Sequence, residues 1–396
     1  MVGMISLAQA RSIIAAKATA RPPERMALRN ALGRVLCEEV QADADSPAFD
    51  RSAMDGYAVS AADPSERFRV VGEIQPGAPP EISLGAGECA RIFTGAHIPR
   101  GASQVIMQEE TRREGEWMIL TGRSEATHIR RRGEEVRKGE VVLPAGNRLG
   151  PGELSLLAQM GLVQPLVSRA PRVLHVATGR ELVDPALAPG PGEIRDTNST
   201  LIAALLQMCG AELTAQFRCG DALETLVQTV QREPAESWDL LLLSGGASVG
   251  DYDFGARALA ALGFEVQFSK INLRPGKPLV FAVRGDQLAF VIPGNPVSHF
   301  ILFHLAIRAA LDRLEGGPDV WRSVEVGLAG PVEIRGEPRE VFWPARLELG
   351  GALRARPLKW QSSGDLTGLA GADAILQIPP SAGPYGVDDR VRCILL

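Results

Sequence analysis

The stretch DLLLLSGGASVGDYDFGARALAALGFEVQFS, residues 239–269, decides the fold. Asp239 and the four leucines after it make an apolar run of strand length that stops at Ser244-Gly245-Gly246. A helix is expected over about 254–262 and a strand over 264–269. The same alternation recurs on both sides. Residues 172–177 read as a strand, and Asn198 stands where it can N-cap a helix ending at Gly210. Residues 212–217 read as a strand, with Asp221 as cap of a helix over 222–232. Strands over 279–283 and 288–292 and a helix over 297–313 complete the set. Strands alternating with helices predict a doubly wound α/β domain with a largely parallel sheet.

Beyond this unit the texture changes. Ile5, Leu7, Ile13 and Ile14 lie at helical spacing, and Pro22-Pro23 stops that helix. From about residue 40 to Gly146, short β-like runs (68–71, 90–93, 104–107, 117–120) are separated by Gly and Pro turns, which predicts an all-β module. Residues 151–161 read as one helix, with Pro151 near its start and Gly161 past its end. After Gly316-Gly317-Pro318 the chain returns to short strands, as in a small β-barrel or sandwich.

A chain of 396 residues is too long for one core. A net charge of −5 removes the electrostatic reason to expect nucleic acid. No apolar run has the length of a membrane helix, and Arg11 and Lys17 interrupt the N-terminal pattern where a secretory signal would be apolar. A cytoplasmic location is expected. The five cysteines and five histidines are dispersed, with no CxxC pair and with His299 and His304 five apart, so no soft-ligand metal site is expected.

In an open α/β sheet, ligands bind beyond the carboxyl ends of the strands. There the sequence carries Thr178-Gly179-Arg180-Glu181, Asp196-Thr197-Asn198, the Ser244 to Asp253 turn, Lys270 to Pro278, and Pro293-Gly294-Asn295-Pro296. Gly245, Gly246 and Ser248 suit a turn whose backbone approaches a phosphate. Asp251 stands where a nucleotide-binding P-loop needs Lys, so a Walker-type ATPase is disfavoured. Asp253 beside such a turn suits Mg²⁺, a hard cation that bridges carboxylate and phosphate oxygens. Lys270, Arg274 and Lys277 suit an oxyanion. Glu181 and Asp221 add carboxylates that bind metal, accept from a ring N–H, or cap a helix.

Taken in order, FDRSAMDGYAV at 49–59, RIFTGAHIP at 91–99, IRRRGEE at 129–135, ATGREL at 177–182, DTN at 196–198, LLSGGASVGDYDF at 242–254, LRPGKP at 273–278 and IPGNPVS at 292–298 resemble the MoeA-type molybdenum insertases, or molybdopterin molybdenumtransferases, and the E domain of gephyrin. The resemblance runs from near the start of the chain into its last domain. It implies an elongated homodimer of four-domain subunits: a helical domain (1–42 with 147–170), an inserted β domain (43–146), a molybdopterin-binding-like α/β domain (171–317) and a C-terminal β-barrel-like domain (318–396).

The implied reaction belongs to molybdenum cofactor biosynthesis. Adenylylated molybdopterin, supplied by a molybdopterin adenylyltransferase, is cleaved with Mg²⁺; molybdate delivers its metal to the dithiolene sulfurs and AMP leaves. By motif position, Glu181, Asp221 and Asp253 serve substrate and Mg²⁺. Thr94, Asp196, Asn198, Ser244, Gly245, Gly246, Ser248, Lys270, Arg274, Lys277, Pro293, Asn295 and Pro296 serve substrate binding. Asp55, Thr94 and Glu135 reach a cleft of the partner subunit. Arg180, Arg274 and Glu135 depart from the common residues at their positions, and the segment 342–346 matches the family pattern poorly. Alternatives left open are a non-catalytic pterin-binding or scaffold relative, a nucleotide pyrophosphatase, and a tungsten-inserting variant.

Overall fold

The computed structural model describes residues 4–79, 81–246, 252–317, 321–334, 336–359, 362, 364–380 and 383–396, without the side chains of Tyr252 and Asp253. Helix α1 (Leu7–Lys17) begins at a reciprocal capping box between Ser6 and Gln9. The β module holds strands β1 (Gly56–Val59), β2 (Arg67–Ile74), β3 (Glu88–Ile92), β4 (Gln104–Met107), β5 (Thr111–Glu114) and β6 (Trp117–Leu120). They form one sheet in the order β4-β1-β3-β2-β6-β5. Alternation puts Ala58, Ala90 and Ile92 in one apolar cluster, and Tyr57, Cys89 and Ile106 in another.

Helix α2 (Pro151–Gln159) has Pro151 in its first turn. It packs with residues 31–42 and 143–167 around Leu36, Leu149, Leu157 and Val167. Short antiparallel ribbons (Glu24–Arg25 with Leu166–Val167, Val40–Gln41 with Val141–Leu143) make up much of the rest. Helices are therefore few in the segments expected to be helical.

The α/β unit contains β7 (Arg172–Thr178), α3 (Thr197–Met208), β8 (Glu212–Cys219), α4 (Leu223–Val230), β9 (Leu240–Ser244), α5 (Tyr252–Ala261), β10 (Glu265–Lys270), β11 (Leu273–Arg274), β12 (Pro278–Arg284) and β13 (Gln287–Ile292). Helix α6 (Pro296–Leu302) runs through a π-helical turn (Phe303–Ile307) into α7 (Arg308–Leu314), where one uniform helix was expected. The sheet order is β8-β7-β9-β13-β12-β10. β8, β7, β9 and β13 are parallel, while β12 runs antiparallel between β13 and β10. Along β9, Leu240 and Leu242 enter one core and Leu241 and Leu243 the other. Both faces are thus covered, which is why the strand reads as continuous leucine. α4 and α5 cover one face, and α3, α6, α7 and α1 the other.

Helix α1 thus leaves the segment 147–170. Its Leu7, Ala10 and Ile14 are buried with Ile307 and Leu311, and Ile5 bonds the backbone of Lys270. The last unit is a closed barrel of β14 (Ser323–Leu328), β15 (Glu340–Glu348), β16 (Arg354–Pro357), β17 (Ala374–Ile378) and β18 (Arg390–Leu395), in the order β15-β16-β14-β18-β17 and back to β15. Closure removes the open edges. Phe342, Ile375 and Ile394 of the barrel belong to the same apolar cluster as α1 and α7, so the two units share a core.

Candidate functional site

Four parallel strands end at one edge of the sheet. The register pairs Thr178 with Cys219, Ala177 with Ser244, and Ser244 with Ile292. The loops after them, starting at Gly179, Gly220, Gly245 and Pro293, therefore lie side by side. β10 ends at Lys270 opposite Pro278, the first residue of β12, which brings the Lys270 to Lys277 loop to the same edge.

A cavity of about 590 Å³ opens there, within the usual range for a small-molecule site. Of the expected site residues it brings together Glu181, Asn198, Ser244, Gly245, Asn295 and Pro296. The amino ends of α3 and α6 both open on it through Thr197, Asn198 and Pro296, which favours anionic groups. Gly245 has φ +98°, and a Cβ there would lie 2.5 Å from the Thr178 carbonyl oxygen. A Cβ on Gly179 would lie 2.8 Å from a Glu181 carboxylate oxygen, so the missing side chain leaves room for that carboxylate at the cavity rim.

Under the cavity floor lies a polar network, buried at His175, Ser244 and His299 and reaching the surface at Gln216. Ser244 Oγ is 2.7 Å from Nε2 of His175 and 2.7 Å from Nε2 of His299. His175 Nδ1 is 2.9 Å from Gln216 Nε2, and His299 Nδ1 is 3.2 Å from the Asn295 carbonyl oxygen. Both rings are fully buried. Burial, with His299 nearby, pushes His175 down to about 3, and burial pushes His299 down to about 4, so both imidazoles are neutral.

Several expected roles change. Asp196, not Asn198, caps α3: its Oδ1 accepts from the Ser199 N–H at 3.0 Å and its Oδ2 from the Ser199 hydroxyl at 2.6 Å. The reason is register: Asp196 is extended at φ −70°, ψ 92°, leaving Asn198 in the first turn, where Nδ2 donates to Gly294 O at 2.7 Å. Asp221 does not cap α4. Extended Ala222 takes that place with no side-chain bond, and Asp221 stays exposed after β8. Pro293 is buried beneath the loop, and Gly246 has φ +67° beside the Phe254 ring. Ser248 and the Asp253 side chain lie outside the described residues.

The basic loop is stitched to the barrel. β11 pairs in parallel with β15, and Arg274 NH1 donates to Glu337 Oε2 at 3.0 Å. Arg339 also donates to Glu337, at 2.7 and 3.0 Å. Two guanidiniums on one carboxylate leave a net positive charge, with Lys277 exposed nearby in the loop. Arg339 first, and then Arg274, holds the Glu337 carboxyl at about 2, below its ordinary 4.5. Its contribution to stability is therefore complete above about pH 4.5 and is lost as pH falls toward 2. Glu337→Gln is expected to melt below wild type at pH 6, with the gap closing as pH drops from 5 toward 3. A gap independent of pH would show that the ion pairs carry none of it.

In the β module, Asp55 Oδ1 accepts from the Thr94 N–H at 2.8 Å and its hydroxyl at 2.7 Å, which hold the carboxyl below its usual range. Glu135 accepts from Arg51 at 3.0 Å and from Ser46 at 2.9 Å. None of these three residues lines the cavity of its own chain.

Sequence reasoning missed His175, His299 and Gln216, whose roles arise only from cross-strand register. It also missed Gly364 and Leu366, by which the barrel walls the cavity, and Glu337 and Arg339. Among the described residues no three Asp, Glu, His or Cys side chains form a metal cluster, and no helix is long and apolar enough to cross a membrane.

Comparison with known proteins follows the same lines. Residues 5–161 match the family model for the MoeA N-terminal region (domain I and II), residues 175–313 that of a "Probable molybdopterin binding domain", and residues 332–396 that of the MoeA C-terminal region (domain IV). A molybdopterin molybdenumtransferase of Nostoc sp. is 35% identical over 361 residues, covering 88% of this chain and 83% of the relative. One from Bacillus subtilis is 33% identical over 393 residues, covering 94% and 90%. The crystal structure of the molybdopterin biosynthesis MoeA protein from Pyrococcus horikoshii superposes with a TM-score of 0.83 at 27% identity, over 100% of both chains.

Proposed function

Because the chain belongs to the MoeA family of molybdopterin molybdenumtransferases, enzymes of molybdenum cofactor biosynthesis, we propose that it inserts molybdate into adenylylated molybdopterin and releases AMP with Mg²⁺. The observation that carries this reading is the cavity itself. It combines a carboxylate at the rim, a Ser-Gly turn, two helix amino ends and the PGNP loop, and it is large enough for a pterin.

Glu181 and Asp221 fit Mg²⁺: they are exposed oxygen donors beyond neighbouring strands, and neither is spent on a helix cap. Asp253 is the third proposed donor. When bound, the ion would neutralise phosphate charge. One or two carboxylates together with substrate phosphate oxygens and water would suit such an ion.

The chain's own groups do the rest. The cavity seats the pterin between Asn198, Ser244 and the loop 293–296. The Gly245-Gly246 turn lets backbone approach the phosphates, and Ser248 is a further proposed substrate contact. Asp196 acts through its helix, holding the α3 amino end toward the anion. Lys270, Arg274 and Lys277 hold molybdate or a phosphate. Cleaving a phosphoanhydride calls for charge neutralisation and placement rather than a protein nucleophile.

A homodimer brings Asp55, Thr94 and Glu135 of the partner's β module to this cleft, and a molybdopterin adenylyltransferase delivers the substrate in the cytoplasm. Support for the dimer lies in what one chain leaves over: half-buried Asp55 and exposed Thr94 form a pre-set turn that lines no part of their own cavity.

The test is AMP release from adenylylated molybdopterin with Mg²⁺, with and without molybdate. Molybdate-dependent release is expected, falling on the order of a hundredfold in Glu181→Ala. Folded protein that binds the substrate yet releases no AMP would leave only a binding role.

A further inference from the structure

The histidines under the cavity floor have their protons fixed by their surroundings. Gln216 Nε2 lies 3.0 Å from the Ser199 carbonyl oxygen, which can only accept, so this end of the carboxamide is the NH₂. Its second hydrogen then points at His175 Nδ1, 2.9 Å away, making that nitrogen an acceptor. His175 must carry its hydrogen on Nε2 and donate it to Ser244 Oγ. The Ser244 hydroxyl then donates to His299 Nε2, and His299 Nδ1–H donates to the Asn295 carbonyl. Each group has one direction available. Burial keeps both rings neutral, so the order is not scrambled by a charge.

This chain of bonds holds the two pieces of backbone between which Asn198 sits. At one end it grips Ser199, the residue after Asn198; at the other it grips Asn295, the residue after Gly294. Asn198 Nδ2 donates to Gly294 O at 2.7 Å, which closes the ring and settles its own amide orientation. Among the described residues its Oδ1 is buried without a hydrogen-bond partner, in a residue that lines the cavity. A buried acceptor left unmade is costly, and a ligand N–H is the natural donor.

We propose that His175, Gln216 and His299, linked through Ser244, are positioning residues that hold the Asn198 carboxamide at the cavity wall, where its unpaired Oδ1 accepts a hydrogen bond from an N–H of the bound heterocycle. The inference rests on the reading of the cavity as the pterin seat. It makes the site selective for a ring edge bearing N–H donors over one of the same shape without them.

The experiment titrates the full-length protein with two fluorescent pteridines: 2-amino-4-oxopteridine, which carries N–H donors, and 1,3-dimethyllumazine, which has none. Wild type is expected to prefer the first by roughly tenfold or more. Asn198→Leu should bring the ratio near one. Gln216→Leu, at an exposed position that tolerates the change, and His299→Phe should each lower it several-fold. A merely structural role would weaken both ligands equally and leave the ratio alone. If both positioning variants keep the wild-type ratio while Asn198→Leu loses it, the positioning claim is overturned and the pterin seat stands. Equal wild-type binding of the two pteridines would overturn the role of Oδ1 alone. Binding of neither would overturn the pterin seat and this inference with it.

Discussion

Gly245→Ala is expected to destabilise the α/β unit by about 3 kcal/mol and to abolish ligand binding at the strand ends. Two costs add. At φ +98° an alanine occupies a backbone region that L side chains rarely adopt. Its Cβ would also lie 2.5 Å from the Thr178 carbonyl oxygen and 2.6 Å from Thr178 Oγ1. The carbonyl belongs to β7, an interior strand buried on both faces, and cannot retreat without disturbing its pairing to β8. Gly294 is the matched control. It lines the same cavity, yet a Cβ there would meet nothing within 4 Å. Gly294→Ala should therefore unfold close to wild type in urea, with Gly245→Ala well below both. Equal midpoints for the two variants would refute the steric account.

The second large effect lies at the opposite end of the sheet. Asp239→Ala is expected to cost about 3 kcal/mol, because it leaves three partly buried arginines without their buried counter-charge. Asp239 is 4% exposed. Its oxygens accept from Arg169 NH2 at 2.8 and 3.0 Å and from the Arg172 N–H at 2.8 Å, and Arg21 Nε lies 3.1 Å away. One carboxylate thus ties the segment after α1, the entry to β7 and the start of β9. Burial acts to raise its pKa, but the bonds from Arg169 and Arg172 win and hold it below the ordinary 3.8. Asp239→Asn keeps an acceptor but no charge, so its urea midpoint should fall between Asp239→Ala and wild type. An Asp239→Asn variant no better than Asp239→Ala would mean that the charge, not the bonding pattern, carries the effect.

Much of this was legible in one dimension because the signals are local. The leucines of 240–243 announce a strand covered on both faces, and the Gly and Pro punctuation of 40–146 announces short strands and turns. The residues that meet at the cavity could be anticipated as a group, since the carboxyl ends of parallel strands fall on one edge of the sheet. The cap of α3 could not. Asp196 and Asn198 are both good caps by type, and which one serves depends on where the chain leaves the extended region.

The sequence by itself determined the order of the units, the alternation of strand and helix, and the set of loops that carry the chemistry. Each follows from the period of apolar residues and from the conformational limits of Gly and Pro. Only the tertiary structure decided that α1 docks on α7, that Glu337 of the barrel takes Arg274 from the basic loop, and that His175 and His299 clamp Ser244 from two sides. Those partners lie tens to hundreds of residues apart. Their pairing depends on strand register and on how buried polar groups find acceptors once water is gone, and neither is written in the spacing along the chain.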